Sequence, residues 1–199
     1  MTTLLLATHN RHKAVEFQTM LDDLGVVIAT LDGYLQVGEI IEDADTLCGN
    51  ALKKAREVFR LTGVPSLADD TGLEVHYLND APGVFSSRYA GPGATYHDNV
   101  QKLLRSMRGV PERRRAALFR CVLAFVAAEG KEEIVEGVCR GAIIEVPRGT
   151  NGFGYDPVFL PDGYQTTFAE MDLAVKNRVS HRGLAIQELK KILPRYLTR

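Results

Sequence analysis

The chain has 199 residues, 45% of them hydrophobic and 25% charged, with a formal net charge of −1. That length supports one sizeable domain or two intimate lobes, and the composition is that of a soluble globular protein. The balanced charge excludes the basic excess of a general nucleic-acid binder. No linker, repeat or low-complexity tract interrupts residues 1–199, so a single domain is expected. No stretch is long enough to span a membrane. Leu4-Leu5-Leu6 lacks a basic segment ahead of it, so it reads as a strand and not a signal peptide. Cys48, Cys121 and Cys139 fit no metal spacing and read as free thiols of a reducing compartment, which makes the cytoplasm the expected location.

Thr3 to Thr8 reads as a buried strand, followed by a helix over 11–24 with Ala14, Phe17, Leu21 and Leu24 on one face. Val26 to Leu31 is a short strand, and a polar loop runs on to Glu42. Asp45 is the expected cap of the next helix, whose Leu47, Ala51, Ala55, Val58 and Phe59 keep helical spacing and which Gly63-Val64-Pro65 stops. Ser66-Leu67-Ala68-Asp69-Asp70-Thr71-Gly72 reads as a buried strand running into a tight turn, with a second strand over Leu73–Leu78. Residues 96–107 form a helix. Arg113-Arg114-Arg115 reads as a solvated turn. Ala116–Ala127 and Glu133–Val146 are long strands of a hairpin turning at Glu129-Gly130-Lys131. A Gly-rich loop with the apolar piece Val158-Phe159-Leu160 follows, and Ser180 opens a last helix. Strand–helix alternation followed by a hairpin implies an α/β fold with a mixed sheet and flanking helices.

The chemistry concentrates in a few segments. Asp69 and Asp70 set two like charges side by side, which is costly without a cation; Mg²⁺ with its oxygen ligands is the usual answer, and an Asx-type turn the structural one. Glu39 or Glu42 could complete a metal site with Asp70. Arg11 and Lys13 sit at the wrong pole of a helix dipole, as do Lys176, His181 and Arg182 at the last helix, and an external anion or acceptor would explain both. Pairing of Arg182 with Asp172 or Glu170 is the alternative. In Gly152-Phe153-Gly154 the flanking glycines leave a ring open to a flat group, with Asp156 to read its polar edge; a Phe153 tucked into the core would look the same.

Together and in this order, the segments Leu67–Leu73, Ala81-Pro82-Gly83-Val84, Arg88-Tyr89-Ala90-Gly91, Phe153–Pro157 and Ser180-His181-Arg182 resemble the inosine triphosphatase family. The resemblance covers Thr8 to Ala185. It implies an α/β fold with two lobes around a nucleotide cleft, and hydrolysis of ITP, dITP and XTP to the monophosphate and pyrophosphate. It also implies a Mg²⁺ cofactor, with Mn²⁺ as a substitute, and a homodimer. Thr8, Asn10, Lys13 and Lys54 match the phosphate-binding positions, with Thr71 in place of the usual serine. Asp70 matches the general base and metal ligand, and Glu42 and Asp69 match its metal-site partners. Phe153, Gly154, Tyr155, Asp156, Lys176, His181 and Arg182 match the nucleobase pocket. His9 departs from the usual glycine of the phosphate loop. The rival readings are a pyrophosphatase for pyrimidine or modified nucleotides and a nucleotide-binding module without turnover.

Overall fold

The computed structural model describes residues 2–197. The chain divides into two compact units. One comprises the residues up to Asp70, Cys121–Gly137 and the residues from Arg182 onward; the other comprises Thr71–Arg120 and Val138–His181.

In the first unit, β1 (Thr2–Leu6) pairs in parallel with β2 (Val26–Thr30) and with the start of β3 (Ser66–Val75). Leu4, Leu5 and Leu6 are all buried, the mark of a strand covered on both faces. Helix α1 (Arg11–Leu21) joins β1 to β2, and a 3₁₀ turn extends it over Asp22–Leu24. Helix α2 (Leu47–Thr62) leads to β3. Thr46, and not Asp45, caps α2: its Oγ1 accepts from the Gly49 amide at 3.0 Å. Gly63 ends the helix at φ +67°, a left-handed conformation that glycine adopts without a Cβ penalty. The unit's strand order is β2-β1-β3-β5-β6, with β5 at Ala116–Val126 and β6 at Glu132–Ile143. Phe17, Leu21, Leu67, Leu123 and Phe125 share its core with Ala185, Ile186 and Leu189 of the last helix.

The second unit has its own core, built from Leu73, Val75, Leu103, Met107, Phe119, Phe159 and Phe168 among others. Here β3 carries the two-residue β4 (Pro82–Gly83) on Leu73 and Glu74, and β6 pairs antiparallel with β7 (Phe159–Pro161). Helix α3 (Tyr96–Ser106) starts on a capping box between Thr95 and Asp98. Helix α4 (Leu173–Val179), in a stretch to which the sequence analysis assigns no element, ends at Ser180, and α5 (His181–Ile192) begins at the next residue.

Two expectations change. Asp70-Thr71-Gly72 makes no tight turn, because β3 runs unbroken from Ser66 to Val75 and the second strand is its continuation. Propensity favoured a turn; burial of Leu67, Ala68, Leu73 and Val75 and pairing with β1 and β4 override it. Arg115 also leaves the solvated turn. It is buried, and its guanidinium donates to the carbonyls of Ile143 (2.6 Å), Met107 (3.0 Å), Val110 (3.2 Å) and Ile144 (3.3 Å). No helix among the described residues is long and apolar enough to cross a membrane. Cys48, Cys121 and Cys139 form no disulfide.

Candidate active site

Adjacent residues on a strand face opposite ways, and the contacts of Asp69 and Asp70 separate accordingly. Asp69 is buried between two cations. Its carboxylate lies 2.9 Å from Lys13 Nζ and accepts from Arg182 Nη2 at 2.8 Å. Arg182 in turn donates to Glu16 Oε2 at 2.8 Å. Two cations and two carboxylates balance. Burial alone would raise the Asp69 carboxyl, but Lys13, Arg182 and Lys54 outweigh it and hold it well below the usual carboxylate range.

Asp70 meets different company. Helix α2 delivers Lys54 and Asn50, one turn apart on the same face. Lys54 Nζ is 3.2 Å from Asp70 Oδ1, 2.7 Å from Glu42 Oε1 and 2.7 Å from the Asp69 carbonyl. Asn50 accepts from the Ala44 amide at 2.9 Å, which fixes the loop that carries Glu42. One cation faces two carboxylates here, an excess of negative charge. Burial, and secondarily Glu42, push the Asp70 carboxyl up against the pull of Lys54 and Asn50. Burial also opposes the Lys54 charge, but Asp70, Asp69 and Glu42 raise it overall. Asp70 Oδ2 is buried without a hydrogen-bond partner. An unmet carboxylate oxygen, a neighbouring Glu42 and a surplus negative charge fit a hard divalent cation, which needs one or two carboxylates besides phosphate oxygens and water.

Ahead of α1, Thr8 Oγ1 accepts from the Asn10 amide at 3.1 Å, and Asn10 Oδ1 accepts from the amides of His12 (3.0 Å) and Lys13 (3.4 Å). His9 and Arg11 are exposed and stand 3.9 Å from Asp32.

In the second unit, Asp156 Oδ2 accepts from Lys176 Nζ at 2.8 Å and from the Phe153 amide at 2.9 Å. The Lys176 ammonium lies 5.0 Å from the Phe153 ring centroid. Gly152 is required in this turn, since its φ is +73° and a Cβ would run into Asp156 Oδ2. The profile of the Ham1 family matches residues 4–192.

This chain belongs to the Ham1 family. A protein of Porphyromonas gingivalis named dITP/XTP pyrophosphatase is 47% identical over 97% of this chain and 98% of its own length. One of the same name from Geobacter sulfurreducens is 44% identical over 96% of both chains. A Ham1 protein structure from Coxiella burnetii superposes with a TM-score of 0.88 at 41% identity, over 98% of this chain and 100% of that one. The resemblance read from the motifs and the mixed α/β fold are both borne out.

The Ham1 chain assembles some expected residues and redirects others. Glu42, and not the exposed Glu39, comes to Lys54 and Asp70. The Asp69 carboxylate is turned to Lys13 and Arg182, and among the described residues no three carboxylate, imidazole or thiol side chains converge as a ligand set. The cations at the helix starts also find protein partners. Lys13 meets Asp69, and Arg182 meets Asp69 and Glu16 in place of Asp172 or Glu170. Lys176 belongs to the last turn of α4, where the dipole favours it. The His181 ring stacks on Phe119 at 4.5 Å and 14°. Tyr155 is buried and donates its hydroxyl to the Ser86 carbonyl at 2.9 Å, and Thr71 is a half-buried position of β3. Glu16 is absent from the sequence analysis. Glu16 left a trace, a carboxylate one residue before buried Phe17 and three after Lys13.

Proposed function

We propose that this chain hydrolyses dITP, ITP and XTP to the nucleoside monophosphate and pyrophosphate, clearing them from the nucleotide pool. Asp70 carries the reading: a buried carboxylate with raised proton affinity and one unpartnered oxygen, beside Lys54 and Glu42. Such a group orients a water and takes its proton as the oxygen attacks the α-phosphorus. Asp70 and Glu42 would hold the divalent cation, Mg²⁺ with Mn²⁺ as a substitute, which when bound neutralises charge on the phosphate oxygens. Lys54 counters charge on the leaving pyrophosphate. Lys13 exchanges Asp69 for phosphate oxygens, and Arg182 keeps the Asp69 charge balanced when it does. Asp69 therefore acts through Lys13 and Arg182. Thr8 and Asn10 shape the phosphate loop, and Thr71, the residue after Asp70 in β3, keeps the hydroxyl of the usual serine.

Base selection belongs to Phe153, Gly154, Asp156 and Lys176. Phe153 provides a stacking face. The Lys176 ammonium, held by Asp156, donates to the O6 acceptor of hypoxanthine or xanthine and repels the N6 donor of adenine. Arg182 is paired with Asp69 and Glu16, so Lys176 is assigned the leading part in O6 recognition, with His181 and Arg182 as the further donors that the family resemblance implies. Residues 1–199 act as one pyrophosphatase domain, a homodimer by the family resemblance and a cytoplasmic protein by its cysteine usage.

Purified protein with Mg²⁺ should release pyrophosphate from dITP, ITP and XTP at least about a hundredfold faster than from ATP, since an unmet polar pairing in a closed site discriminates strongly. Equal rates would overturn the specificity. A preference for pyrimidine triphosphates would favour that rival, and tight ITP binding without turnover would favour a binding module.

A further inference from the structure

We infer that Tyr96 is the second aromatic wall of the purine site, a specificity-determining residue outside every motif of the family resemblance. The inference rests on Phe153, Asp156 and Lys176 being the base-recognising element. Tyr96 is the first residue of α3, and its backbone is fixed without help from its ring. Thr95 Oγ1 accepts from the Asp98 amide at 3.2 Å, and Asp98 Oδ2 accepts from the Thr95 amide at 2.9 Å. Buried Asn99 anchors the same turn, donating to the Ser87 carbonyl at 3.0 Å and accepting from the Ala90 amide at 2.7 Å.

From that anchored position the Tyr96 ring centroid lies 5.9 Å from that of Phe153, at an interplanar angle of 38°. The pairing falls in the ordinary range for interacting aromatics. Phe153 is also held, by Asp156 at its amide and by Lys176 against its ring. A base stacked between two rings needs about 7 Å between centroids, two stacking steps of about 3.4 Å each. Tyr96 stands about one ångström short of that, and its ring must also turn through the 38° tilt to lie parallel to Phe153. Tyr96 is 47% exposed, so the ring can swing outward while the capping box holds the helix. The ring that now covers Phe153 then closes over the base. Two rings a stacking distance apart favour a two-ring base over a pyrimidine, so the ligand class is a purine nucleotide.

The chain contains no tryptophan, so Tyr96→Trp installs the sole indole. Titration of that variant with IMP should quench its emission saturably, and CMP should do so far less. In the parent chain, Tyr96→Ala should raise KM for ITP at least about fivefold, the loss of one base–aromatic stack, with a much smaller change in kcat. Tyr96→Phe should stay within about twofold. Indole emission indifferent to IMP, or a Tyr96→Ala KM within twofold of the parent on ITP, overturns the inference and leaves the base-site reading standing. If the wild type releases no pyrophosphate from dITP, ITP or XTP, the functional reading fails, and the IMP titration alone decides the role of Tyr96.

Discussion

Asp70 and Asp69 are neighbours in sequence whose protons are pulled in opposite directions. Burial raises the Asp70 carboxyl, while Lys13 and Arg182 depress that of Asp69. Asp70→Asn keeps the shape but removes the proton acceptor, so pyrophosphate release from ITP should fall about 10²–10⁴-fold with the far-UV circular dichroism unchanged. Asp69→Asn leaves Arg182 and Lys13 short of a buried counter-charge. Thermal or urea unfolding should then show a loss of about 3–5 kcal/mol near neutral pH. The pH dependence has a definite sign. The folded Asp69 carboxyl titrates below its unfolded value, so its stabilisation is complete above about pH 5 and is lost as pH falls through and below about 4. The acid-side decline in Tm should therefore be shallower in Asp69→Asn than in the parent.

Secondary elements decide which charges meet. The alternation of β3 turns one acidic dipeptide into two unlike sites, and Lys54 of α2 meets the carboxylate of Asp70 but the backbone carbonyl of Asp69. The basic run after Pro111 divides in the same manner. Arg115 stitches the end of α3 to the end of β6 through four backbone carbonyls, whereas Arg113 is exposed. Arg115→Ala orphans those acceptors and should cost about 2–4 kcal/mol in chemical denaturation, while Arg113→Ala should stay within about 0.5 kcal/mol. Equal effects would refute the suture. Helix α4 was illegible because seven residues of Leu173–Val179 carry too little amphipathic pattern to stand out from a loop.

At the scale of the molecule, each unit closes around its own apolar core, and the family match from 4 to 192 runs through both. Removal of divalent cations with EDTA should abolish pyrophosphate release and Mg²⁺ should restore it, because the charge surplus at Asp70 and Glu42 would otherwise face the triphosphate uncompensated. Light scattering should give about twice the 22.0 kDa chain mass if the homodimer holds. The sequence by itself determined the α/β class, the strand–helix order from β1 to α2, the hairpin and the family, since hydrophobic period and ordered motifs are local properties of the chain. It also singled out Asp70, Lys54 and Phe153. Only the tertiary structure decided that Glu42 and not Glu39 serves Asp70, that Arg182 answers to Asp69 and Glu16, and that Tyr96 faces Phe153. Arg182 lies 113 residues from Asp69 and 166 from Glu16. Pairings at such separations are set by packing and charge balance in three dimensions, which no local pattern encodes.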